Sequence, residues 1–177
     1  IKGRIEHFIS RKAMNIDSIG PETIDDYFSR GIIKDASDLY HIRVQDISGS
    51  YGTRVKSATR IVENIKASLA VPFERVVYAI GIRFVGETIA KILAKKFKSI
   101  DALAAATLEE LTEVDGIGDA IANSVIAYFS YQRNIEFVEQ PSAISTVRAF
   151  KIASLVMMSL GLMFLLYISI TAIPACF

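Results

Sequence analysis

Ile82-Arg83-Phe84-Val85-Gly86 sets two apolar residues, Ile82 and Val85, on a tight turn and follows them with a glycine at the head of a helix-like stretch. The form recurs as Ile16-Asp17-Ser18-Ile19-Gly20 and Val114-Asp115-Gly116-Ile117-Gly118, with a less regular version, Ile47-Ser48-Gly49-Ser50-Tyr51-Gly52, between them. The closing glycines Gly20, Gly52, Gly86 and Gly118 follow one another at 32, 34 and 32 residues. Such a period marks an internal repeat. A turn that delivers glycine to a helix start leaves backbone N–H groups with no intrahelical partner. Helped by the helix dipole, those donors suit a phosphate. Several such sites at one period imply a chain that holds a nucleic-acid backbone at several points.

Outward from the turns, helical periodicity dominates and strand signals are nearly absent. Ile5 to Ala13 reads as a short helix with Ile5, Phe8 and Ile9 on one face. Pro21 suits a first helical turn and Gly31 closes that helix. Further helices are expected over Asp35 to Ile42, Arg54 to Leu69, Phe73 to Ile80, Glu87 to Phe97 and Asp119 to Phe129. Thr107-Leu108-Glu109-Glu110 has the form of a capping box and starts another before the fourth turn. The apolar stripes are core. Tyr51 and Phe84 lie inside turns and are expected to staple their hairpins to the helices, the alternative being contact with a sugar.

The net charge of +1 over 177 residues hides an asymmetry. From Arg54 to Lys98 ten basic residues stand against three acidic ones, Glu63, Glu74 and Glu87, whereas Asp101 to Asp119 holds six acids and no base. The basic middle favours backbone neutralisation and salt-dependent binding. Cys176 has no partner for an internal disulfide, and His7 and His41 show no zinc spacing, so no metal site is expected. The chain opens on Ile1 without a leader sequence, which suggests a segment cut from inside a longer protein and a cytoplasmic location.

Residues 152–177 change character: they hold no charge and are rich in Leu, Ile, Met and Phe. By length and polarity they form a candidate transmembrane helix, with Arg148 and Lys151 as inner-side anchors. The other reading is a shifted frame or a junction after about Gln140, so that the tail does not belong to the domain. The expected organisation is a DNA-binding block at 1–135, a linker at 136–151 and the apolar tail at 152–177.

An apolar-x-x-apolar-Gly turn between two helices resembles the helix-hairpin-helix motif, a sequence-independent DNA-binding element. The expected fold is therefore all-α, with four tandem helix-hairpin-helix copies followed by an apolar C-terminal helix. The motif usually has glycine two places before its last. Gly116 meets that rule, while Ser18 and Phe84 stand at the same place in the first and third copies. A purely protein-binding helical solenoid is the alternative for such a period. The recurring feature here is a glycine turn, which argues against it.

Arg4-Ile5-Glu6-His7-Phe8, Arg11-Lys12-Ala13-Met14-Asn15-Ile16, and Pro72-Phe73-Glu74-Arg75-Val76 running into Ala79 to Thr88 are similar to the bacterial NAD-dependent DNA ligases. The likeness extends from about Ile1 to about Ile135. It implies the domain with which such a ligase grips nicked double-stranded DNA from the minor-groove side, in replication and repair. The expected DNA-binding residues are Gly20, Gly52, Gly86, Gly116 and Gly118 in the turns. Arg54, Lys56, Arg83, Thr88 and Lys91 are the expected phosphate partners. The ligase reaction needs a Lys-x-Asp-Gly string, and Glu113-Val114-Asp115-Gly116 has glutamate in the lysine's place. No catalytic residue is expected, and this chain alone should not ligate. The resemblance implies NAD, Mg2+ and Zn2+ for a full-length parent, with adjoining ligase domains as partners and none of these cofactors bound here. A membrane-tethered DNA receptor, held at a bilayer through the tail, is the alternative function.

Overall fold

A computed structural model describes residues 1–48 and 55–139. Among these residues it is wholly helical: α1 Lys2–Ile9, α2 Pro21–Ser29, α3 Val44–Ile47, α4 Val55–Ala67, α5 Phe73–Ala79, α6 Glu87–Phe97, α7 Ile100–Ala104, α8 Leu108–Thr112, α9 Asp119–Ser130 and α10 Gln132–Glu139. Helices pack in consecutive pairs, α1 on α2, α3 on α4, α5 on α6 and α8 on α9. Three of these pairs are joined by a described hairpin. The second turn, with Tyr51, Gly52 and Arg54, lies outside the described residues, as does the apolar tail. Among the described residues, no helix is long and apolar enough to cross a membrane.

Each described hairpin is pinned by the two apolar residues that identified it. Ile16 and Ile19, Ile82 and Val85, and Ile117 are buried, and Val114 packs against them at the edge of the core. All helix pairs contribute to one apolar cluster. Phe8 stands at a junction within it, 2% exposed, its ring edge-on to Tyr40 at 6.3 Å and to Phe137 at 5.9 Å. The second contact seats α10 on α1. Val138 of α10 is buried as well.

Local chemistry explains where helix bounds depart from periodicity. The first helix was expected over Ile5 to Ala13, but the chain leaves it at Ser10, which is extended with ψ of 157°. Ala13 and Met14 are still buried, because the following loop folds back and the Met14 N–H donates to Phe8 O at 3.0 Å. Spacing alone does not separate that wrapped loop from another helical turn. Over Asp35 to Ile42, a 3-10 helix at Ser37–His41 replaces the expected α-helix. Asp35 accepts from the Ser37 N–H at 2.8 Å and Asp38 accepts from the Lys34 N–H at 2.6 Å, local bonds that compete with the α pattern. At the end of α2, Gly31 takes φ of +70° while the Ile32 N–H donates to Tyr27 O at 2.8 Å and the Gly31 N–H to Phe28 O at 3.1 Å. This is a Schellman cap, as the position of Gly31 had suggested.

Polar groups inside are few. Ser68 is buried and donates to Ile65 O at 2.7 Å, and it also shares a 2.8 Å bond with the Tyr40 hydroxyl. Burial pushes that phenol up to about 12. The Tyr27 hydroxyl, by contrast, is buried with no partner among the described residues. Removing a buried group that makes no bond relieves its desolvation cost. Tyr27→Phe should therefore leave the thermal midpoint unchanged or raise stability by about 1 kcal/mol. A fall in the melting temperature would show that the hydroxyl is satisfied.

Candidate nucleic-acid interface

The glycines that close the three described turns all occupy the same structural position. Gly20, Gly86 and Gly118 are the N-caps of α2, α6 and α9, with φ of −109°, −83° and −90°. These are ordinary values that any residue adopts. A Cβ added at any of the three would meet nothing within 4 Å. Neither backbone conformation nor packing inside the protein requires glycine there.

No side chain caps these three helices. Among the helices that do not follow such a turn, α1 and α5 also lack a side-chain cap, but α7 and α8 have one: Ser99 accepts from the Ala102 N–H at 3.2 Å, and Thr107 exchanges bonds with Glu110 at the start of α8. Serine, threonine and aspartate are the usual choices at an N-cap. The hairpin helices forgo them, leaving the Glu22 and Thr23 amides of α2 and the Glu87, Thr88 and Ile89 amides of α6 without partners among the described residues. In α9 the Ile121 N–H donates to Gly118 O at 3.0 Å, so the open donors there are those of Asp119 and Ala120. The three starts share bare amides, a positive dipole end and room for close approach.

The turns themselves share a second feature. Ser18, Phe84 and Gly116 have φ of +73°, +65° and +84°, so the middle residue is left-handed in every described copy. In the third and fourth turns the Val85 N–H donates to Ile82 O at 3.1 Å and the Ile117 N–H to Val114 O at 3.0 Å. Gly116 suits this geometry, and a Cβ on it would also approach Ile92 Cδ1 to 3.4 Å. Ser18 is held from α4, where the Asn64 amide donates to Ser18 Oγ at 3.1 Å and to Asp17 O at 3.0 Å. For an L-residue such as Phe84, the left-handed conformation costs roughly 1–2 kcal/mol.

The helix-hairpin-helix motif family matches residues 75–138, which take in the third and fourth turns. Over 140 residues the sequence is 53% identical to a DNA ligase of Phocaeicola vulgatus, covering 79% of this chain and 21% of that protein. DNA ligases of Bacteroides fragilis and Flavobacterium psychrophilum match at 52% and 48% identity, with the same coverage. This chain is a helix-hairpin-helix relative of the DNA ligases. It spans about a fifth of the length of the curated relatives it matches.

In this helix-hairpin-helix chain, the residues expected at the interface divide by position. Arg83, Gly86, Thr88 and Lys91 come together on the third turn and the first turns of α6, all exposed. Lys56 is exposed in the first turn of α4, while Gly52 and Arg54 fall outside the described residues. Gly116 shapes its turn, two residues before the N-cap glycine Gly118. Sequence spacing alone did not separate those two roles.

Two features were missed. The Lys12 ammonium lies 2.9 Å from Glu87, which places the loop before the first turn beside the start of α6. Arg75 donates to Arg11 O across the same junction. The Lys12 hydrogen bond holds the Glu87 carboxyl below the ordinary carboxylate range, and Lys91 and Arg75 add to the effect. The acid at the head of α6 thus stays ionised with a cation against it. Phe84, expected to staple its hairpin, is 57% exposed instead, with the Arg83 guanidinium carbon 4.8 Å from its ring centroid. Its place in the slot that Gly116 fills was the available signal, because a positive φ redirects Cβ.

Proposed function

We propose that this chain grips double-stranded DNA without regard to sequence, as the helix-hairpin-helix part of a nick-sealing, NAD-dependent ligase. The bare amides of α2, α6 and α9 donate to phosphate oxygens, and the second turn, through Gly52 and Arg54, supplies the corresponding contacts. Lys56, Arg83, Thr88, Lys91 and their neighbours in the basic middle neutralise further phosphates. The observation that carries this reading is the set of N-cap glycines with ordinary φ and open space where a side chain would stand. Such a glycine gives the protein nothing internally, but it lets a phosphate approach the helix start.

The chemistry of ligation belongs, in this reading, to other parts of a longer protein, which would use NAD, Mg2+ and Zn2+. The described side chains offer no ligand set to the metal ions among those groups. No cluster of His, Cys, Asp and Glu among them could hold a metal, and the His7 ring donates from Nε2 to Tyr78 O at 2.9 Å while packing on the Tyr78 ring. What this chain contributes is hold and register on nicked duplex, in the cytoplasm.

Salt titration tests the reading. With one or two phosphates held at each of the four hairpins, log Kobs should fall against log salt with a slope of roughly −4 to −7. Unrelated duplexes should give the same curve. A flat response would instead favour a helical scaffold that binds protein.

A further inference from the structure

Phe84 breaks two local rules at once. It is a bulky residue held at φ of +65°, and it is a large apolar side chain with more than half its surface in solvent. The hairpin does not need it, since Ile82 and Val85 on either side are 3% and 6% exposed and already anchor the turn. Glycine fills the equivalent slot in the fourth turn, and in the first the serine hydroxyl is tied to Asn64. Strain and exposure that bring no internal gain are the mark of a side chain kept for an outside contact.

The surroundings say what that contact is. Arg83 lies over the Phe84 ring, so the tip offers an apolar plane and a positive charge together. Two residues on, Gly86 opens the amides of α6. A purely apolar partner would have to desolvate the guanidinium, whereas a duplex groove provides sugar faces, base edges and flanking phosphates in one place. Apolar wedges enter the minor groove by partly unstacking a base step, which costs free energy that depends on how deformable the step is.

We propose that Phe84 is a wedge, inserted into the minor groove beside the phosphates held at Gly86, and that it makes the third hairpin favour duplex that unstacks easily over stiff, continuous duplex. The inference rests on the DNA-gripping reading above and adds selectivity to it. A strand break removes one backbone constraint and lowers the cost of unstacking, so the wedge engages best at a nick. Arg83 keeps the ring oriented and meets the phosphate beside the opened step.

The test uses the full 177-residue chain, with nicked and continuous duplexes of one sequence, comparing wild type, Phe84→Gly, Phe84→Leu and Gly86→Asp. Glycine suits the left-handed backbone, so Phe84→Gly should leave the melting temperature unchanged or raise it. Its affinity should fall about tenfold for nicked duplex (~1.4 kcal/mol) and distinctly less for continuous duplex. Phe84→Leu, which keeps apolar bulk, should retain part of the preference. Gly86→Asp should weaken both duplexes alike. Unchanged nick preference in Phe84→Gly while Gly86→Asp loses binding overturns the wedge and leaves the phosphate grip standing. A lower melting temperature in Phe84→Gly, with equal loss on both duplexes, assigns the ring to the fold and also overturns it. If the wild-type chain binds neither duplex, the grip and the wedge fall together.

Discussion

Gly86→Asp is expected to fold as well as the wild type and to lose most of its hold on DNA. The φ of −83° at Gly86 is open to aspartate, and the added side chain meets no atom within 4 Å. Aspartate is among the best N-caps, and replacing it by glycine costs only a few tenths of a kcal/mol. A negative charge at the positive end of α6 is itself favourable. The melting temperature should therefore hold or rise slightly. The same carboxylate takes up the donors that the phosphate reading reserves for DNA and puts like charge where the phosphate would sit. Affinity for duplex should fall by about tenfold or more, ~1.4 kcal/mol or above, equally on unrelated sequences. Anisotropy titrations beside a thermal melt check both halves. Unchanged affinity would remove this helix start from the interface, and a lowered melting temperature would show that glycine was required for folding after all.

Phe8→Ala should have the largest effect on stability. The ring is 2% exposed and touches Tyr40 and Phe137, so it joins α1 to the 3-10 helix at Ser37–His41 and to α10. Removing a buried phenylalanine typically costs about 3–5 kcal/mol, including the cavity it leaves. Whole domains are stable by only roughly 5–15 kcal/mol. Urea denaturation of the variant should show a sharply lowered midpoint, and DNA binding should be lost with the fold. A loss below about 1 kcal/mol would mean that this part of the core collapses around the gap.

The repeat was legible because it rests on backbone needs that leave residue-type signatures. Two apolar anchors and a glycine suffice to mark a hairpin, and the anchors of all three described turns are buried or packed at the core's edge. Long periodic helices such as α4, α6 and α9 were legible for the same reason. The short helices α3 and α7 and the last helix α10 were not, since four or five residues give periodicity little to work on and α10 follows α9 with only Tyr131 between them. The signals present were local: Asp46 accepting from the Arg43 N–H at 2.9 Å, and Ser99 capping α7. At the candidate interface, charge and motif singled out Arg83, Gly86, Thr88 and Lys91, which lie exposed along the third turn and the start of α6. The Lys12–Glu87 bridge joins residues 75 apart, and nothing along the chain announces such a pair. Phe84 was misjudged because aromatics are usually buried, and its place in the slot that Gly116 fills, which imposes a positive φ, was given too little weight.

The division of the glycines into two kinds bears on how such a chain would decay. Gly31 and Gly116 answer to the fold, through φ of +70° and +84°. Gly20, Gly86 and Gly118 answer to nothing inside it. In a descendant released from selection for its outside task, mutations would accumulate first at positions 20, 86 and 118, and serine or aspartate there would make the chain more stable as it lost its purpose. Retention or erosion at those three sites would thus date the loss of a trade separately from the loss of a fold.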